Sequence, residues 1–124
     1  MIGAAHKTIL YHYVLAAKTP TYFFRSLLGF GALKRLSADH GEVKSMHTAQ
    51  PMRGRGAGSA MLRHIIATAR ASGMSLLSLE TGAWEYFRPA RALYRSHGFV
   101  ECPPFADYVL DPNSVFMSLD LRES

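Results

Sequence analysis

The sequence contains one cysteine, Cys102, in 124 residues. A single thiol cannot close an intrachain disulfide or build a multi-cysteine zinc site, so no metal is expected. It reads as a small, partly buried residue of a reducing compartment, and the expected location is cytoplasmic. Long apolar runs are missing too. Nothing approaches the roughly 20 residues that a membrane-crossing helix needs, and no membrane partner is expected. Lys7 followed by TILYHYVLAA has the outline of a signal peptide, but His12 and two tyrosines interrupt it and the cleavage site is poor. Acidic residues are few, 9 against 14 Lys and Arg, for a formal net charge of +5. The basic residues are scattered, apart from Arg53 with Arg55 and the group Arg88, Arg91 and Arg95. With no Lys/Arg run, no recognition helix and no aromatic platform, nucleic acid is not expected as a partner. A phosphate-rich small molecule fits the charge better.

Apolar residues make up 48% and charged residues 19%, a globular composition for one domain spanning residues 1–124. Ile9 to Ala17 reads as a strand or a short helix, ended by Pro20. TYFF (21–24) and LLGFGALKRL (27–36) read as a hairpin, with Gly29 and Gly31 marking a bulge or a close backbone approach. ADHG (38–41) reads as a turn and EVKSMHT (42–48) as a strand. Val43 and Met46 cannot share a face in a regular strand, so a bulge between them is predicted. A helix opens at Ser59, with Met61, Leu62, Ile65, Ile66 and Ala69 on one face and Gly73 as its C-cap. SLLSLET (75–81) is a strand. Pro89 sits in the first turn of a second helix that carries Ala90, Leu93 and Tyr94 and ends at Gly98. Residues 99–102 and 114–121 are the last strands. The order β-β-β-α-β-α-β-β predicts an α/β (α+β) fold: a mixed, mostly antiparallel sheet with one right-handed parallel β-α-β crossover.

Between the third strand and the first helix lies QPMRGRGAG (50–58). The first amides of a helix lack internal partners, and their dipoles favour an anion there. Gly54, Gly56 and Gly58 let the backbone approach a ligand closely. Arg53 and Arg55 add forked donors, while Ala57 and Ser59 complete the turn. Phosphate oxygens are the natural ligand, although an exposed turn with glycines chosen for geometry alone would look the same. A Walker loop is excluded because no Lys follows the glycines. A dinucleotide fingerprint with Glu80 as its ribose ligand is disfavoured, since Gln50 to Arg53 separate strand from glycines.

The loop also fits Gln/Arg-x-x-Gly-x-Gly/Ala, with Arg53, Gly56 and Gly58 in the named places. Together with EVKSMHTAQPMRGRGAG, the helix to Gly73, Leu79-Glu80-Thr81, ALYRSHGF (92–99) and FADYVLDPNSVFMSL, the ordered set resembles the GNAT superfamily of acyl-CoA N-acetyltransferases, in a small bacterial form. The resemblance covers about residues 27–121. Residues 1–20 do not match its usual front elements and form an atypical N-terminal segment.

The resemblance implies acetyl-CoA as co-substrate, gripped by residues 53–59. It also implies two parallel strands that splay apart after the bulge, so that the pantetheine arm pairs with backbone near Met46, His47 and Thr48. It places Tyr94 near the sulfur, as donor to the departing thiolate. The acceptor would be a primary amine of a small molecule or peptide, attacking the thioester directly. Such an ammonium is about 0.1% or less neutral at pH 7 and must lose a proton first. Glu42 is the first candidate base, with Glu80 and His47 behind it. Trp84, Tyr86 and Phe87 could line the acceptor site. The loop with Phe105, Asp107, Tyr108, Asp111 and Asn113 would face it, though Asp-Pro-Asn is also ordinary turn chemistry. Two other readings stay open: a non-catalytic acyl-CoA-binding module, and a homodimer that completes the acceptor wall.

Overall fold

The computed structural model describes residues 21–26, 29–48 and 56–122. The expected element at Ile9 to Ala17 lies outside the described residues. The elements run β1 (Thr21–Ser26), β2 (Gly29–Arg35), β3 (His40–Thr48), α1 (Ala57–Ala71), β4 (Leu76–Gly82), a single 3-10 turn (Glu85–Phe87), α2 (Arg88–Ser96), β5 (Val100–Glu101) and β6 (Ser114–Asp120). They form one mixed sheet in the order β1-β2-β3-β4-β6-β5. Among the described residues β3 and β4 are the one parallel pair, and every other neighbour is antiparallel.

The predicted bulge is present. Phe30 pairs with His47 but Ala32 pairs with Lys44, so β3 carries one residue more than β2 across that step. The extra residue turns Met46 onto the face that Val43 already occupies. A Cβ on Gly31 would lie 2.9 Å from Met46 Sδ and 3.1 Å from Ile65 Cδ1, which explains the glycine. Leu33, Val43, Leu77, Leu79 and Met117 share that face and join Met61, Leu62, Ile65, Ile66 and Ala69 of α1 in one core.

Both helices end as their glycines predict. Gly73 (φ +86°) and Gly98 (φ +98°) take the left-handed conformation. Gly73 N–H donates to Arg70 O at 3.1 Å and Met74 N–H to Ala69 O at 3.0 Å. Gly98 N–H donates to Arg95 O at 2.9 Å and Phe99 N–H to Tyr94 O at 3.1 Å. Each is a Schellman closure, in which the residue after the glycine meets the last helical turn. In α2 that contact is the edge-on pair of Tyr94 and Phe99, centroids 5.8 Å apart.

Several boundaries differ from the sequence reading by one or more residues, and three of them have a clear physical reason or bear on the site. β3 starts at His40, so Gly41 belongs to the strand and not to a turn. A Cβ there would overlap Met74 Sδ, so the glycine serves packing. α1 starts at Ala57, two residues before Ser59. β5 is only Val100–Glu101, because Pro103 and Pro104 cannot extend its ladder.

Candidate active site

β3 and β4 pair from His40–Leu76 to Val43–Leu79 and no further, although β3 continues to Thr48 and β4 to Gly82. The ladder thus opens at the level of Lys44, one step before the bulge. Beyond it, His47 and Thr48 are register partners of Phe30 and Gly29 on β2, Met46 lies in the bulge, and none of the three pairs with β4. That edge offers unpaired backbone groups to an extended ligand. The side chain of Met46 packs into the core, so only its backbone is available there. The side chains of His47 and Thr48 lie outside the described set.

The start of α1 borders the same loop. Gly56 is its N-cap at φ +84°, with no side-chain cap and no acid in the first turn. The first intrahelical bond runs from Ala60 N–H to Gly56 O at 2.9 Å. The amides of Ala57, Gly58 and Ser59 have no acceptor among the described residues. A Cβ on Gly56 would meet nothing within 4 Å, so the N-cap itself has open space beside it. Naked amides with room beside them suit a diphosphate. Arg53, Gly54 and Arg55 fall outside the described residues. The Ser59 hydroxyl is engaged elsewhere: Arg63 donates to Ser59 Oγ at 2.8 Å, and Ser59 Oγ lies 2.8 Å from His97 Nε2. This bond ties the first turn of α1 to the end of α2.

Tyr94 is buried on α2, 7% exposed. Burial pushes its phenol up to about 12, so it stays protonated at neutral pH. Glu42 is 3% exposed on the opposite face of the sheet, next to the last ladder pair. Tyr108 Oη donates to Glu42 Oε2 at 2.6 Å, and Lys44 Nζ stands 3.7 Å from the same oxygen. Phe105, Tyr108 and Phe116 pack around this point with ring centroids 5.0–6.0 Å apart. Glu80 Oε2 accepts from Ser114 Oγ at 2.7 Å. Trp84 Nε1 donates to Asn113 Oδ1 at 3.0 Å, joining the aromatic segment to the last loop. Tyr86 and Phe87 are exposed beside it. Asp111 Oδ1 accepts from Asn113 N–H at 2.8 Å, which is turn chemistry. Asp107 is exposed.

Sequence reasoning did not anticipate the Tyr108–Glu42 or Ser59–His97 bonds. Nor did it anticipate a polar line across β3, β4 and β6 to the residue after β5, from His40 Nε2 to Ser78 Oγ (2.8 Å), on to Ser118 Oγ (2.8 Å) and then to Cys102 Sγ (3.1 Å). Parity along β4 and β6 hinted at it, since Ser78 and Ser118 are register partners. A shallow cleft of about 300 Å³ is lined by His40, Leu76, Asp120 and Arg122 among others. It lies at the far end of β3 and β4, away from the opening.

Burial lowers the affinity of His40 and His97 for a proton below the ordinary 6.5; for His97 the Arg63 charge acts in the same direction. Below pH 6.5 the unfolded chain then binds more protons than the folded one, so acidification costs stability. The melting temperature should fall between pH 7.5 and pH 5.5, and His97→Gln should flatten part of that slope.

An open parallel ladder, an uncapped glycine turn and a buried tyrosine on the next helix coincide in one chain. The sequence pattern of the acetyltransferase (GNAT) family matches residues 5–99. The chain belongs to this family. The match takes in most of the N-terminal segment that the motif comparison left unmatched. Among relatives, the chain is 53% identical over 95 residues to YsnE, an uncharacterized N-acetyltransferase of Bacillus subtilis, covering 77% of this chain and 63% of that protein. It is 48% identical over 113 residues to YedL, an uncharacterized N-acetyltransferase of Escherichia coli, covering 86% and 71%. A crystal structure from Klebsiella pneumoniae, assigned as an acyl-CoA N-acyltransferase, superimposes with a TM-score of 0.73 at 33% identity, covering 83% of this chain and 72% of that one. The GNAT-like mixed sheet expected from the sequence is the fold observed. Among the described residues no helix is long and apolar enough to cross a membrane, and no group of three or more His, Cys, Asp or Glu could hold a metal ion.

Proposed function

We propose that this GNAT chain transfers the acetyl group of acetyl-CoA to a primary amine of a small molecule or peptide. One observation carries the reading: the β3–β4 ladder ends at Val43–Leu79, with buried Glu42 beside the opening. The amides of Ala57, Gly58 and Ser59, with Arg53, Gly54, Arg55 and Gly56, would hold the diphosphate. The β3 edge at Met46, His47 and Thr48 would hold the pantetheine arm and offer an amide donor to the thioester oxygen, worth about 2.7–4 kcal/mol in comparable sites. Bound acetyl-CoA supplies an acyl group activated as a thioester. Glu42 takes the proton of the ammonium through Oε1, and the neutral amine attacks the carbonyl carbon. The N–C bond forms, the C–S bond breaks with the sulfur leaving as thiolate, and the second proton of the attacking nitrogen passes to that thiolate, leaving amide and coenzyme A.

Tyr94 is the donor to that sulfur. With its phenol at about 12, roughly three units above an ordinary alkyl thiol, it is too weak an acid to protonate a thiolate outright. Its contribution is a hydrogen bond to the developing charge. Tyr94→Phe should lower kcat about 10- to 100-fold and leave coenzyme A affinity near the wild-type value, as read by steady-state kinetics and calorimetry.

The same reading treats the chain as one domain acting in the cytoplasm, and it includes a homodimer in which a second copy completes the acceptor wall. Calorimetry with coenzyme A, followed by thiol release from acetyl-CoA across an amine panel, tests it. Binding with amine-dependent release is expected. Binding without such release would mark a module that holds acyl-CoA and transfers nothing. No coenzyme A binding would end both readings.

A further inference from the structure

Glu42 and Tyr108 are 66 residues apart in sequence and meet on the sheet face away from the helices. Both recorded partners of the carboxylate, Tyr108 Oη and Lys44 Nζ, are on Oε2. Oε1 has no hydrogen-bond partner among the described residues. Every fully buried side-chain nitrogen or oxygen among them is paired, so Oε1 is an oxygen that solvent reaches. One side of a nearly buried carboxylate is thus tied down and the other is open.

Tyr108 is itself held firmly. Its N–H donates to Phe105 O at 3.1 Å, closing a turn over Ala106. Ala106 is the one non-glycine residue at positive φ (+52°) among those described. A left-handed alanine costs on the order of 1–2 kcal/mol, and here that strain accompanies the seating of Phe105 and Tyr108 against Phe116.

We propose that Tyr108 is a positioning residue for the transfer reaction: its hydroxyl fixes Oε2 so that Glu42 presents Oε1 as a charged proton acceptor toward the opening of the ladder. The inference rests on the reading of Glu42 as the base. Other charged groups face Glu42 as well. Lys34 is its register partner on β2, Lys44 and His40 flank it on β3, and Glu80 on β4 reaches Tyr108. Burial, the bond to Glu42 and the charges of Glu42 and Glu80 hold the Tyr108 phenol well above its usual range. It therefore stays a donor wherever the enzyme could work. A donor on a carboxylate stabilises the charged form, so losing it makes the carboxyl take up a proton more readily.

Tyr108→Phe keeps the ring and removes only the hydroxyl. No residue from Pro103 to Asn113 is buried, so the change leaves the core alone. The acid limb of kcat/KM should move up by about one pH unit, which is roughly a tenfold loss at a pH on the limb. Carbon-13 NMR of the Glu42 carboxyl, in protein without ligands, should show its midpoint moving by the same amount. Val109→Ala, at an exposed neighbour in the same loop, should move neither. Superimposable limbs and midpoints for Tyr108→Phe and wild type would overturn the proposal, as would an equal shift in Val109→Ala. A shifted NMR midpoint in a chain that acetylates no amine would overturn the transfer reading and leave the Tyr108–Glu42 coupling standing.

Discussion

Glu42→Gln should lower kcat/KM by about 10²- to 10⁴-fold at pH 7, the range associated with loss of a general base. Glutamine has nearly the same shape and its carbonyl oxygen can still accept from Tyr108, so the geometry around β3 is kept. It cannot take a proton from an alkyl ammonium that is about 0.04% neutral at that pH. The deficit should shrink as pH rises toward the amine's own value near ~10.4, where the acceptor deprotonates unaided. Coenzyme A affinity should stay constant, because the substituted side chain is on the sheet face away from α1. Steady-state rates from pH 7 to 10 read both effects. A variant as fast as wild type at pH 7 would remove Glu42 from the chemistry.

Ile65→Ala should destabilise the folded chain by about 2–4 kcal/mol, a large share of a typical total of about 5–15. Ile65 is fully buried at the centre of the α1 face that meets the sheet. Beneath it lies Gly31, which has no side chain to grow into the void; the nearby Met46 and Met61 can refill part of it. Urea denaturation should show a lower midpoint with an unchanged slope. Val100→Ala, at a position 65% exposed, should stay within about 0.5 kcal/mol of wild type. Adding Gly31→Ala to Ile65→Ala should recover some of the loss, although Gly31→Ala alone would crowd Met46 and Ile65.

Local rules made much of the fold legible. The spacing of Val43 and Met46 required a bulge, and β3 has one. Gly73 and Gly98 marked helix ends because positive φ is cheap only for glycine. The glycine at 41 misled for an instructive reason: a residue that is usually a turn signal is there because Met74 leaves no room for a side chain. The site was legible only in part. The spacing of Arg53, Gly56 and Gly58 pointed to the start of α1, where bare amides are found. Glu42 was a candidate by residue type alone. Its burial and its bond to Tyr108 depend on a contact across 66 positions, and no periodicity in the chain encodes such a contact. The Ser59–His97 bond, spanning 38 positions, escaped for the same reason.

The segment from Pro103 to Asn113 covers the polar side of the sheet without contributing a single buried residue. The burial that holds the fold together therefore comes from other parts of the chain. Mutational drift can reshape that segment at little thermodynamic risk, whereas the helix-facing side is constrained down to single methylenes. Descendants of one such scaffold could diverge in that segment while melting at nearly the same temperature.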